Sequence, residues 1–457
     1  MSTISAERRL AVPGLKHENK IVMLWSLTVW LVVMNTTMFN VALPSVLRDL
    51  SLSSGTASWI VSGYSIAFAI STLTYSRLSD FIPISRLLAI GLAMLGTASI
   101  IGFFSHSFYL LLFARVLQAA GAGAVPGLAM VLAGKYIPIS RRGKAMSLIS
   151  SAASLGFGLG PVIGGAITTY LGWNYLFVIT GFVVFLLPMF NKILPEEDVQ
   201  KVHFDSVGGL LTGLGVTGLL LFLSTLSLPL LAGTLLMLFI LWKHIHKISI
   251  PFVQPSLFSN RQYVKLAAAA FSGFILHFST LFMMPIILTE LFGKDPAAIG
   301  LIIFPGAILS AVAAQFIGRL IDRFGNVPLI SFGHGMLLIS LLILALSAGK
   351  SPYAILIAYM FMSTGFSSLT SSIANEASRI LPEDDIGSGM GLTQLIQFFG
   401  GAFGVALSGI LIEWQQGIPA SLIYANIFWG LTGLIGLSFL IFWSYVKIES
   451  MKKSLHY

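Results

Sequence analysis

The sequence predicts an all-α integral membrane protein, and three observations carry that reading. Hydrophobic residues make up 56% of the 457-residue chain and charged residues only 9%, against about 25% charged in a soluble protein. Mean hydropathy is +0.91. The apolar residues fall into long runs separated by short charged stretches, and fourteen of these runs come near the ~20 residues that a helix needs to cross a bilayer.

In chain order the expected spans are 21–42, 56–77, 86–104, 108–134, 144–169, 174–191, 207–225, 229–243, 264–288, 297–318, 328–348, 352–374, 386–412 and 420–446. The first starts near Ile21 and is too long for the apolar region of a secretory signal. It continues into "NTTMFNVALPSV" with no A-x-A-like cleavage site. The fourth holds Arg115. The fifth contains "ASLGFGLGPVIGGAI", five glycines and a proline in fifteen residues, which would suit a loop in water. Every other residue there is apolar or small, so the stretch belongs in the membrane. The ninth holds His277 near its middle. Cysteine is absent, which removes disulfides and thiolate metal sites.

The net charge of +9 is distributed by topology. With fourteen spans both termini share one side. Of the 26 lysines and arginines, 22 fall on that side, Arg48, Lys294 and Lys350 fall opposite, and Arg115 lies within a span. This positive-inside bias makes both termini cytoplasmic. The basic excess therefore calls for no nucleic acid.

An internal repeat divides the chain. "SRLSDFIPISRLLAIG" (76–91) aligns without gaps on "GRLIDRFGNVPLISFG" (318–333), sharing R-L-x-D at the start and glycine at the end. The two copies follow the second and tenth spans. This predicts two six-helix bundles, 1–191 and 263–457, with two additional helices and cytoplasmic linkers in 192–262.

These segments resemble the major facilitator superfamily, and within it the fourteen-helix drug/proton antiporters. The turn with Asp80 and Arg86 looks like the family's G-x-L-a-D-r-x-G-r-k loop, although Ser76, Phe81 and Pro83 depart from it. "LLFARVLQAAGAGAVPG" resembles the R-x-x-Q-G-x-G-a motif of the fourth helix, supplying Arg115 and Gln118. Gly156, Gly160, Pro161, Gly164 and Gly165 match the antiporter motif G-x-x-x-G-P-x-x-G-G of helix five. "NVALP", "KYIPISRRGKAMSLI" and "HFDSVGG" bring the chain nearest to the K- and L-class tetracycline exporters of Gram-positive bacteria.

Gly156, Gly160 and Gly164, spaced i, i+4, i+8, form a smooth stripe that lets a neighbouring helix approach closely. Pro161 removes a backbone hydrogen bond and is expected to bend the helix. The resemblance implies that this helix joins the two halves and slides as they rock; ordinary helix packing is the alternative. In the loop motif, Asp80 is expected beside a helix N-terminus, paired with Arg86 or a neighbouring arginine. With its repeat at Arg319, Asp322 and Arg323 it forms a candidate conformational latch. The alternative is a solvated loop ion pair.

All seventeen acidic residues fall in loops or at helix ends, whereas proton coupling needs a titratable group in the membrane. Where the tetracycline exporters carry carboxylates in helices one, five and thirteen, the matching positions here are Thr36, Phe157 and Gly401. Asn35 stands at the aspartate of the related L-D-x-T pattern. A pocket without an acid disfavours permanent cations, because a buried cation without a counter-charge loses hydration and recovers little. Arg115 and His277 are the candidate coupling residues, with Glu290 and Glu376 as helix-end alternatives; a hydrogen-bonded packing role is the other reading of His277. By the resemblance, spans one, four, nine and twelve line a cavity that gathers Asn35, Thr36, Asn40, Arg115, Gln118, His277 and Ser367, joined by Gln394 and Gln397.

The expected function is export of a hydrophobic small molecule across a bacterial plasma membrane, by alternating access and in exchange for protons. The chain is expected to act as a monomer in the lipid bilayer, without cofactor or metal. No P-loop, H-E-x-x-H or nucleophile elbow is present, so an enzyme is not expected. Two alternatives stay open: an uncoupled facilitator or exporter of a cellular lipid or peptide, and a non-transporting membrane sensor.

Overall fold

The computed structural model describes residues 17–454 apart from 53, 195–196, 198–204, 249–250, 295, 383–384 and 416; the side chains of 40, 44, 47, 54–58, 62, 220, 223–224, 296–297, 315 and 448–454 also lie outside the description. A helix stands at each of the fourteen expected places. They are α1 (Glu18–Asp49), α2 (Ser54–Leu78), α3 (Ile84–Phe103), α4 (Phe108–Tyr136), α5 (Ile139–Tyr170), α6 (Tyr175–Ile193), α7 (Ser206–Thr225), α8 (Leu228–Ile245), α9 (Arg261–Phe292), α10 (Pro296–Phe324), α11 (Asn326–Ser347), α12 (Pro352–Ile380), α13 (Ile386–Trp414) and α14 (Ala420–Ser454). Twelve helices among the described residues are long and apolar enough to cross a membrane. The two others are α2, diluted by nine serines and threonines, and α7, whose described side chains run without a break only over Ser206–Leu219.

Local sequence explains the helix ends and breaks. Ser107, Asn260 and Ser351 cap α4, α9 and α12 by accepting backbone N–H groups. Gly123 interrupts α4, and a Cβ there would lie 2.7 Å from Thr72 N on α2. In α6 the turn Phe182–Leu186 is a 3₁₀ helix. Pro161 lies inside an unbroken α5.

Two large apolar cores form. One is centred on Trp25, Leu92 and Leu128 of the first half (α1–α6) and also takes in Tyr263, Ala374 and Met390 from α9, α12 and α13. The other lies around Leu276, Leu341 and Phe428 in the second half (α9–α14). The repeat packs equivalently in both. A Cβ on Gly91 (α3) would lie 2.9 Å from Gly121 O on α4, and one on Gly333 (α11) would lie 3.0 Å from Gly365 O on α12. Glycine in both places lets backbones touch where apolar burial alone cannot draw helices together.

Two seams join the halves: α5 packs on α10 and α12, and α2 packs on α13. The pair α7–α8 lies outside this core, with α7 against α2 and α13. Asp205 anchors that pair. Its carboxylate caps α7 at Gly208 N (2.8 Å), accepts Phe252 N–H (3.0 Å) and pairs with His244 Nε2 at the end of α8 (2.8 Å). Burial pushes the Asp205 carboxyl up, but these hydrogen bonds outweigh it and hold the group below the ordinary 3.8.

Candidate functional site

The glycine stripe of α5 faces its own half. A Cβ on Gly156 would lie 2.8 Å from Trp30 O, one on Gly160 2.8 Å from Met34 O, and one on Gly164 2.8 Å from Met38 O, all on α1. Gly165 stands apart, with Val41 Cγ1 at 3.5 Å. The opposite face of α5 meets the second half. There Gly143 meets Asp322, Ser147 Oγ donates to Ala314 O (2.6 Å), Gly158 meets Ala307 and Val162 meets Gly300 along an antiparallel seam with α10.

One end of both seams is tied by the repeat. Asp322 (α10) accepts the backbone N–H groups of Gly143 and Lys144 in the second turn of α5. Asp80, after α2, lies against the first turn of α13, where a Cβ on Gly387 would sit 2.9 Å from its carboxylate carbon. Each aspartate thus faces a helix N-terminus of the opposite half, where the macrodipole favours negative charge. Asp80 also pairs with Arg77 (2.6 Å) and Lys135 (2.9 Å), and Arg77 Nη2 donates to Pro251 O (2.9 Å). No ion pair reaches Arg86 among the described residues, and Arg319 and Arg323 are exposed. Arg142 adds a bond to Ser378 Oγ (3.3 Å) across the same end. Neither Arg142 nor Lys135 stood out in the sequence, although both lie in the quoted stretch "KYIPISRRGK" or just beside it.

Beyond this closed end lies a narrow cavity shared by the halves. It is lined by α1 (Val29, Val33), α4 (Pro126, Met130), α5 (Ser150, Phe157), α9 (Phe274), α12 (Phe366, Thr370) and α13 (Thr393, Gln394, Gln397, Phe398). No charged side chain lines it, and about 40 Å³ is open to a water-sized sphere, room for about three waters. A larger, shallow hollow of about 530 Å³ lies at the remote end of the first half, between Phe103–His106 and Leu171–Tyr175. Its aromatic lining suits a membrane surface.

Of the residues singled out in sequence, Gln394 and Gln397 line the cavity. Phe157 lines it too and packs edge-on against Phe278 (4.8 Å), the ring that a Cβ on Gly401 would touch at 3.0 Å. Two of the three positions matched to carboxylates therefore converge on one phenylalanine. His277 lies behind this wall, stacked on Phe366 at 3.9 Å with its rings parallel to 6°, and neither ring nitrogen has a hydrogen-bond partner. Ser367 Oγ meets Ser151 Oγ at 3.4 Å across the halves. Thr36 Oγ1 donates to Val33 O within α1, and the side chain of Asn40 is outside the described set.

Arg115 and Gln118 lie within the first half, not on the cavity wall. Arg115 is 0% exposed and held between the rings of Phe39 (4.0 Å) and Tyr64 (3.9 Å). Nη1 donates to Gln118 Oε1 (2.6 Å), and Gln118 Nε2 donates to Ser99 Oγ (3.2 Å). Asn35 joins the same cluster through Tyr64 (3.3 Å) and Thr180 (3.0 Å). Glu376, read as a helix-end residue, is buried inside the second half, where Asn326, Arg379 and Tyr445 donate to it. Glu290 accepts from Tyr424 OH at 2.5 Å.

Two helix bundles around a shared cavity have counterparts among known proteins. The profile described as Major Facilitator Superfamily matches residues 25–405 and, in a second placement, 266–455. The chain belongs to the Major Facilitator Superfamily. The riboflavin transporter RibZ of Clostridioides difficile is 24% identical over 397 residues, covering 83% of this chain and 84% of that one. Multidrug resistance protein Stp of Mycobacterium tuberculosis is 25% identical over 406 residues, covering 85% and 75%. Among solved structures, the human organic anion transporter MFSD10 (TETRAN) superposes with a TM-score of 0.69 at 16% identity, over 93% of this chain and 99% of that one, which supports the fold. This major facilitator protein is a multi-span membrane transporter of small molecules and not an enzyme.

Proposed function

We propose that this major facilitator protein exports a hydrophobic small molecule without permanent positive charge, by alternating access and in exchange for protons. The observation that carries the reading is the uncharged cavity between two halves whose contacts at one end include the reversible polar ties of Asp322 and Asp80. With fourteen crossings, two bundles at 1–191 and 263–457 and an inserted pair in 192–262, the tied end is cytoplasmic. The relatives named for multidrug resistance and riboflavin both handle organic small molecules, and such molecules suit a wall of Phe157, Phe274, Phe366 and Phe398 with a few amides. A tetracycline-type substrate fits only in a form that needs no buried counter-anion.

Closing the tied end hides the cavity from the cytoplasm. Breaking the contacts of Asp322 and Asp80 frees α5 and α13 to tilt, and the cavity opens inward to load. His277 is the proposed proton carrier: its two free nitrogens sit one ring behind the cavity wall, so a substrate displacing Phe366 alters their surroundings. Proteoliposomes with a pH-sensitive dye test this reading, which predicts substrate-driven proton movement. Flux without proton movement would favour the uncoupled facilitator, and no flux under an imposed gradient would favour the sensor.

A further inference from the structure

Arg115 presents a chemical problem that the transport cavity does not solve. Its guanidinium is out of contact with solvent, and taking a cation out of water costs several kcal/mol unless something compensates it. The rings of Phe39 and Tyr64 cover both faces, which helps by about 2 kcal/mol for a desolvated cation. Nη1 is used by Gln118. Among the described residues Nε and Nη2 have no partner, and no carboxylate pairs with them.

The neighbouring acceptors are committed elsewhere. Asn35 Oδ1 accepts from Thr180, and Ser99 Oγ accepts from Gln118. The two unused groups form one edge of the guanidinium, where Nε–H and an Nη2–H point the same way. That edge matches the two oxygens of a carboxylate. With rings over the guanidinium and Nη1 held by Gln118, that edge carries the two nitrogens that have no partner among the described residues.

We propose that the Nε/Nη2 edge of Arg115 is a carboxylate-binding site, occupied by a carboxylate of the transported molecule or by one free in the medium. The site lies eleven residues from Pro126 along α4, about 16 Å, on the side of the cavity remote from the tied end. It lies within the first half and off the cavity wall. Only the identity of the molecule carrying the carboxylate rests on the export reading; the site itself does not.

The test is thermal unfolding of the detergent-purified full chain, titrated with sodium benzoate, sodium acetate and the neutral isostere benzamide. Benzoate raises Tm saturably and benzamide does not. An acetate shift equal to that of benzoate assigns the site to free carboxylates, and a benzoate shift alone assigns it to an aromatic acid of the transported kind. Arg115→Lys keeps the charge but loses the paired donors, so apparent affinity falls at least about tenfold. Asn35→Asp keeps the arginine and places a carboxylate beside the ring that covers it, which also suppresses the shift. Equal shifts with benzoate and benzamide, no shift with either carboxylate, or a wild-type response in Asn35→Asp would overturn the site. No Tm response with intact efflux would remove the anion site and leave export standing; a response without efflux would do the reverse.

Discussion

The Asp322 carboxylate on α10 accepts the backbone N–H groups of Gly143 and Lys144 in the second turn of α5, across the boundary between the halves. An anion at a helix N-terminus contributes about 0.3–1 kcal/mol. Burial opposes the Asp322 charge and outweighs these contacts, so its carboxyl lies above the ordinary range. Asp322→Asn, which keeps an acceptor, should hold the closed-to-open ratio within about twofold of wild type. Asp322→Ala, which removes the acceptor, should lower it about two- to tenfold. The chain has no native cysteine, so Ser151→Cys, in the seam opposite Ser367, reports opening through its labelling rate. That rate should rise by the same factor in the Asp322→Ala background and stay near wild type in Asp322→Asn.

Packing of the glycine stripe makes a sharper prediction for stability. Gly160→Ala places a Cβ against Met34 O and Thr37 on α1, backbone that cannot turn aside, and should cost about 1–3 kcal/mol. Gly165→Ala meets only Val41 Cγ1 at ordinary contact distance and should fall within about 0.5 kcal/mol of wild type. Thermal unfolding in detergent separates the two. Equal losses would mean that α1 and α5 are not packed as described.

The anchor of α7–α8 carries a pH dependence of known sign. The folded Asp205 carboxyl lies below the ordinary 3.8, so its contribution is present above that value and is lost as pH falls through the folded pKa. Asp205→Asn should therefore be less stable than wild type at neutral pH, and the difference should vanish on acidification below the carboxylate range. Tm measured against pH for both proteins checks this; a constant difference down to strong acid would contradict it.

His277→Phe preserves the stack on Phe366 and removes two unsatisfied buried nitrogens. It should leave the fold intact or stabilise it by about 1 kcal/mol, while abolishing substrate-driven proton movement. Unchanged proton movement in this variant would assign coupling to another group.

A helix stands at each of the fourteen hydrophobic runs, and twelve of them among the described residues have the length and apolarity that a bilayer demands. The R-L-x-D repeat located both ties between the halves, but not their partners. Asp80 takes Lys135 and Arg77, and Asp322 takes a helix N-terminus, contacts set by where α5 and α13 begin in space. The i, i+4 spacing of Gly156, Gly160 and Gly164 announced a close helix without saying that it is α1. Arg115 was visible as a lone charge, yet its aromatic clamp depends on Phe39 and Tyr64 from two other helices. Glu376 misled for a related reason: its position near the end of α12 suggested solvent, whereas Tyr445 of α14 and Asn326 of α11 close over it.

The central claim is that the cavity accepts molecules without permanent positive charge because nothing acidic lines it. The most direct measurement is growth of a pump-deficient bacterium expressing the protein on a panel of neutral, anionic and quaternary ammonium compounds, repeated with Gln397→Glu. Wild type should protect against neutral and anionic hydrophobic compounds only, and Gln397→Glu should add protection against quaternary ammonium compounds. Wild-type protection confined to quaternary ammonium compounds would contradict the account.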